Sequence, residues 1–204
     1  MLSHLGSDSC TMRIITGEAR NVRLETLEGE MTRPTAERVK EAVFSALQFE
    51  MENARFLDLF SGSGQMGLEA LSRGAALAVM IDASPDAIAV IKANARKTKL
   101  FSRCRIVNAP YQDYLKGFAK SKDRPFDIIY IDPPFTAHIH GEVLKRLAVS
   151  GAADQQTRIL VESESPDIFM GEEAAAAQYE VLKTAKYGRI YITYLCLKEQ
   201  TEKE

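Results

Sequence analysis

Tyr130-Ile131-Asp132-Pro133-Pro134-Phe135 follows Phe126-Asp127-Ile128-Ile129, an apolar run that reads as a buried strand. A carboxylate closes the strand, two prolines restrict φ behind it, and an aromatic ring follows. An acid on a rigid backbone beside a ring is suited to hold the amino group of a planar substrate. Taken alone, the same residues also fit a helix N-cap at Asp132 and a core ring at Phe135.

A second stretch narrows the choice. Asp58-Leu59-Phe60-Ser61-Gly62-Ser63-Gly64-Gln65-Met66-Gly67 joins an apolar strand to a helix. Gly62, Gly64 and Gly67 match G-x-G-x-x-G in the context where backbone approaches a ligand. Asp82 closes the next strand about 20 residues on, where a carboxylate can bind both ribose hydroxyls. A dinucleotide would bring a pyrophosphate to the helix N-terminus, and Asp58 would stand close to that anion. A carboxylate suits a cation instead. S-adenosylmethionine carries an ammonium, a sulfonium and an adenosine ribose, so the loop favours that cofactor.

These residues need a frame. Arg55-Phe60, Leu77-Asp82, Cys104-Ala109, Phe126-Asp132 and Arg158-Glu162 read as strands. Gln65-Arg73, Ser84-Lys97, Tyr111-Ala119 and His138-Val149 read as helices between them. Such alternation predicts an α/β fold with a parallel sheet and helices on both faces. Both loops then lie at the C-terminal edge of the sheet, at its topological switch point. Glu180-Ala185 and Arg189-Leu197 flank Lys186-Tyr187-Gly188 and predict an antiparallel hairpin at the sheet edge, turning at those three residues. Met12-Leu27 reads as short strands with turns at Gly17 and Asn21. Pro34 then opens a helix with Val39, Ala42, Val43, Ala46 and Leu47 on one apolar face. The expected division is a disordered extension at 1–11, an N-terminal hairpin and helix at 12–50, and the main domain at 51–204.

Bulk properties bound the function. The chain of 204 residues is 46% hydrophobic and carries a net charge of −2. No apolar run is long enough to span a bilayer. The three cysteines, Cys10, Cys104 and Cys196, form no CxxC pair, which fits a reduced, cytoplasmic setting. His138 and His140 lack a third partner at metal-ligand spacing, so no metal is expected. Binding of nucleic acid by charge alone is not expected at this net charge.

The pattern D-x-F-x-G-x-G-x-x-G, an acid closing the second strand and D-P-P-F closing the fourth resemble class I methyltransferases acting on an exocyclic nitrogen of a base. Met12-Arg13-Ile14-Ile15-Thr16-Gly17, Arg33-Pro34-Thr35 with Arg38-Val39-Lys40-Glu41-Ala42, Leu68-Glu69-Ala70-Leu71-Ser72-Arg73-Gly74-Ala75 and Lys186-Tyr187-Gly188 narrow this. They resemble the RsmD family of bacterial 16S rRNA (guanine-N2)-methyltransferases, over Met12 to Leu197. The resemblance implies a Rossmann-like, seven-stranded, mostly parallel sheet with an antiparallel last strand and a small N-terminal hairpin and helix. It implies S-adenosylmethionine held by Asp58, Phe60, Gly62, Gly64, Gly67, Asp82, Ala83 and Asn108. Asp132, Pro133, Pro134 and Phe135 would hold the amine and stack on a flipped base. Arg13, Arg20, Arg23 and Arg33 would contact RNA. The partner would be 16S rRNA in an assembled or nearly assembled small subunit, met by a monomer.

The sequence departs from the family in two places. The family's acid just past the third strand aligns with Pro110, which leaves Asn108, Asp113 or a backbone carbonyl to meet the adenine. Residues 1–40 hold six Lys/Arg and six Asp/Glu, so phosphate neutralisation there is weak. Rival functions are an adenine-N6 DNA methyltransferase, an NAD-dependent oxidoreductase on the same glycines, and a non-catalytic RNA-binding module.

Overall fold

The computed structural model describes residues 12–27, 34–134 and 138–199. The expected extension at 1–11, Arg33 and Phe135 lie outside the described residues. The elements run α1 (Pro34–Ala46), β1 (Arg55–Asp58), α2 (Gln65–Ser72), β2 (Leu77–Asp82), α3 (Pro85–Lys97), β3 (Cys104–Asn108) and α4 (Tyr111–Phe118). Then come β4 (Ile128–Ile131), α5 (His140–Ala148), β5 (Arg158–Ser163), α6 (Glu173–Ala176), β6 (Tyr179–Tyr187) and β7 (Ile190–Leu197).

One seven-stranded sheet has the order β3-β2-β1-β4-β5-β7-β6. The first five strands in that order are parallel, and β7 is antiparallel to both its neighbours. Strand order reverses between β1 and β4, where Leu57 pairs with Ile129 and Asp58 with Tyr130. Alternate residues feed two cores. Phe56, Met80, Tyr130 and Leu160 face one, under α1, α2 and α3. Leu57, Ile81, Ile129, Ile131 and Val161 face the other, with Leu115 and Phe118 of α4 and Leu144 and Leu147 of α5. Burial on both faces explains the near-continuous apolar strands.

The hairpin turn lies further along than expected. Lys186 and Tyr187 belong to β6, paired with Tyr191 and Ile190, and the chain reverses at Gly188 and Arg189. The positive φ of 63° at Gly188 suits glycine at that first turn position.

The face of α1 also differs from expectation. Val39, Val43, Phe44 and Leu47 are buried, Ala46 is exposed, and Lys40 is buried among them. The cause is Glu69 of α2, which is fully buried and draws charge inward. Its carboxylate accepts the N–H groups of Ile15 (2.8 Å) and Thr16 (3.1 Å) and pairs with Arg73 Nε at 2.7 Å. Lys40 Nζ stands 3.8 Å from it and donates to the Arg13 carbonyl at 2.6 Å. In the 12–27 segment, Arg13 and Arg23 form an antiparallel bridge. Asn94 of α3 fastens the segment's far end: its amide donates to Glu25 O and Ser63 O, both at 2.9 Å, and accepts from Glu25 N at 2.7 Å.

Candidate active site

A cleft of about 590 Å³ opens at the C-terminal ends of β1, β2 and β4. That volume lies in the range of small-molecule sites. Asp58, Phe60, Gly62, Asp82, Ala83, Asp132, Pro133 and Pro134 all line it. The two stretches singled out in the sequence thus meet across one space, because β1 and β4 are neighbours.

The glycine loop is built by Asp82 as much as by its own residues. Oδ2 of Asp82 accepts the Gly62 N–H at 2.9 Å, and Oδ1 accepts the Ser84 N–H at 2.8 Å. A carboxylate offers about four lone-pair positions, so this one is oriented and still able to accept two hydroxyls. Gly62 lines the cleft. Gly64 and Gly67 stand behind it, and their roles are conformational. Gly64 caps α2 at φ 78°, and a Cβ on Gly67 would come within 2.6 Å of Met80 Cγ. Phe60 packs on Tyr111 with ring centroids 5.2 Å apart.

Asp58 is 1% exposed and accepts the Phe60 N–H at 3.3 Å. Burial pushes its carboxyl up to about 7, opposed by that N–H and assisted by the charge of Asp82. Among the described residues it has no cationic side chain as partner. Among the described residues, three carboxylates and no lysine, arginine or histidine line the cleft. This set repels a pyrophosphate and favours a ligand that carries positive charge. S-adenosylmethionine fits: its ammonium and sulfonium suit the Asp58 side, and its ribose diol suits Asp82.

Asn108 does not line the cleft. Its Nδ2 donates to the carbonyls of Asp82 (3.0 Å) and Ala83 (3.1 Å), so it holds the turn that carries Asp82. Pro110 lines the cleft beside Tyr111 and Gln112, whereas Asp113 does not. Gln112 supplies the polar side chain next to the position where the family's acid is replaced. Arg13, Arg20 and Arg23 are exposed on the N-terminal segment, and Arg13 Nε pairs with Glu37 at 2.9 Å.

Four contributors were not singled out in the sequence. Leu27 reaches the cleft wall because Asn94 holds its segment there. Lys40 stood in the sequence only within the Arg38-Val39-Lys40-Glu41-Ala42 pattern, with no role of its own. Tyr130 and Glu162 form the other pair: the buried Tyr130 hydroxyl donates to Glu162 Oε2 across β4 and β5. An acid closing an apolar strand had marked Asp58, Asp82 and Asp132, and Glu162 shows the same signal.

Known proteins share this framework. The family model described as Conserved hypothetical protein 95 matches residues 12–196. Ribosomal RNA small subunit methyltransferase D of Escherichia coli K12 is 35% identical over 162 residues, 79% of this chain and 78% of that one. The protein of the same name from Haemophilus influenzae is 32% identical over 155 residues, covering 75% and 79%. The solved structure of yhhF from Escherichia coli superposes with a TM-score of 0.77 at 29% identity, covering 93% of this chain and 99% of the other. A class I sheet, a glycine loop facing Asp132 and a match over nearly the whole chain agree: the protein belongs to the RsmD family of methyltransferases, the family described as Conserved hypothetical protein 95.

Proposed function

We propose that this protein transfers a methyl group to the exocyclic N2 of a guanine in 16S rRNA of the small ribosomal subunit. The observation that carries the reading is the meeting of Asp132 with a cation-seeking cleft. Asp132, Pro133 and Pro134 line the same space as Asp58 and Asp82. When bound, S-adenosylmethionine supplies an electrophilic methyl on a sulfonium that leaves as a neutral thioether.

The protein's task is to make a poor nucleophile usable. A guanine amino group spreads its lone pair into the ring. Asp132 accepts one of its N–H bonds and the Pro133 carbonyl accepts the other, which favours a pyramidal nitrogen. Pro133 is buried and Pro134 exposed, and both restrict φ, so the loop loses little entropy when a base arrives. Positioning of this kind contributes about 7–11 kcal/mol in well-aligned cases. Phe135 follows as the stacking ring for the flipped base.

Ribosomal RNA as substrate rests on the names of the relatives. The monomeric protein acts in the cytoplasm on an assembled or nearly assembled particle. The balanced charge of the N-terminal segment and the Arg13–Glu37 pair support a particle over naked RNA, since few cations face phosphate. The test uses labelled S-adenosylmethionine and small subunits from a strain lacking the enzyme, with the product nucleotide mapped by mass spectrometry. N2-methylguanine at one position of 16S rRNA is expected. Label on adenine N6, or none in rRNA, overturns the reading, and equal rates on naked RNA and particles overturn the particle preference.

A further inference from the structure

Next to the main cleft lies a second cavity of about 60 Å³. Lys40, Gln65, Tyr130, Asp132 and Glu162 give it polar walls. Gln65, Met66, Tyr130 and Asp132 also line the cleft, so the two spaces share a wall. Glu162 lines only the smaller one. Ile131 pairs with Val161, so Asp132 and Glu162 stand side by side one residue past that pair. The volume has room for water, which needs about 10–15 Å³ and two to four polar partners.

We propose that Glu162 receives the proton lost by the methylated amine, relayed from Asp132 through water in this cavity. The inference rests on the methyltransferase reading above. The amine enters with two N–H bonds and uses its lone pair to bond the incoming carbon. One N–H bond then breaks, its electron pair stays on nitrogen, and an O–H bond forms on Asp132. Asp132 gives a proton to water, and that water gives one to Glu162. Asp132 is ionised again, and neutral Glu162 later releases its proton to solvent.

The surroundings favour Glu162 as the resting place. The Tyr130 hydroxyl donates to Oε2 and fixes the side chain. Burial raises the Glu162 carboxyl from its ordinary value, opposed in part by that hydroxyl, which makes it a better proton acceptor near neutrality. The titratable groups facing it are Tyr130 and Asp132 from β4 and Lys40 from α1. Lys40 is itself engaged with the Arg13 carbonyl and Glu69. His140 of α5 meets the backbone oxygen of Glu162 at 3.0 Å, and from β7 the paired residue is Ile192.

Single-turnover methylation of small subunits from a strain lacking the enzyme tests the route, across acid and neutral pH, with the parent, Glu162→Gln and Glu162→Ala. Glutamine keeps the size and still accepts from Tyr130, but takes up no proton. The expected result is a rate lowered ~10²-fold, within the usual span of acid–base contributions. At saturating S-adenosylmethionine, which removes the affinity loss set by Asp58, Glu162→Gln should lose the part of the parent's rate fall at low pH that Glu162 carries, while S-adenosylhomocysteine affinity matches the parent and the melting temperature is no lower. Formate should restore part of the rate to Glu162→Ala, whose shortened side chain leaves space. A Glu162→Gln protein with the parent's rate and pH profile overturns the inference. So does a lost rate accompanied by lost S-adenosylhomocysteine affinity and no rescue by formate. A parent that methylates while Glu162→Gln behaves identically fails this inference alone. A parent that methylates no ribosomal RNA fails the substrate reading, and this inference with it.

Discussion

Asp82 and Gly62 are joined by a 2.9 Å hydrogen bond from the Gly62 N–H to the Asp82 carboxylate. The end of β2 therefore sets the shape of the loop after β1. One side chain both forms the glycine turn and lines the cleft. Replacing Asp82 with alanine should weaken S-adenosylhomocysteine binding on the order of 10²-fold and cost about 1–3 kcal/mol of stability. Calorimetric titration and urea unfolding measure the two. Unchanged affinity would show that Asp82 serves the loop alone.

Asp58 sets a pH dependence whose sign is fixed. Its carboxyl, ordinarily near 3.8, is raised to about 7 in the fold. Its contribution to stability is fully present below the unfolded value and is lost as pH rises through about 7. Asp58→Asn should thus be more stable than the parent at pH near 8, by roughly 2–4 kcal/mol, while binding S-adenosylhomocysteine poorly. In the parent, affinity for that ligand should fall as pH drops through the same range, by up to ~10-fold per pH unit. A lower melting temperature for Asp58→Asn, or a flat affinity profile, contradicts this.

Asp132→Ala separates chemistry from binding. Methyl transfer should drop about 10²-fold or more, because a misplaced amine loses its alignment. S-adenosylhomocysteine affinity should stay within about twofold, a change worth under half a kcal/mol. Lost binding together with lost transfer would place Asp132 in the cofactor site instead.

Glu69 holds the N-terminal segment to the sheet domain. Removing a buried charge from a hydrogen-bonded cluster costs about 3–5 kcal/mol, so Glu69→Ala should show that loss in urea unfolding. Limited proteolysis should then cut between residues 12 and 27 well before the rest. A variant as resistant as the parent would show that apolar packing of Ile14 and Leu24 suffices.

The sheet was legible because its signal is local. Leu77–Asp82 and Ile128–Ile131 are apolar runs between helical patterns, and the loops between them had to gather at one edge. The meeting of Asp58 and Asp132 in one cleft was legible for a related reason, since acids that end neighbouring strands lie at the edge where those loops gather. Lys40 was not. Its burial depends on Glu69, 29 residues away, and no period in either helix reports that meeting. Asn108 shows a similar limit: it was singled out by position at a strand end, but its amide holds the Asp82 and Ala83 carbonyls. A strand end places a residue near the ligand without deciding which way its donors turn.

The order β5-β7-β6 constrains how the chain is made. β6 is synthesised before β7, yet its pairing in the sheet is with β7 alone. β5 waits for the same eight residues on its outer side. Until Ile190–Leu197 exists, two strands expose open edges, which are templates for pairing with other chains. A nascent chain halted before that point is thus an aggregation hazard, and insertion of a single strand pairs the facing edges of β5 and β6 at once, leaving the outer side of β6 as the sheet edge.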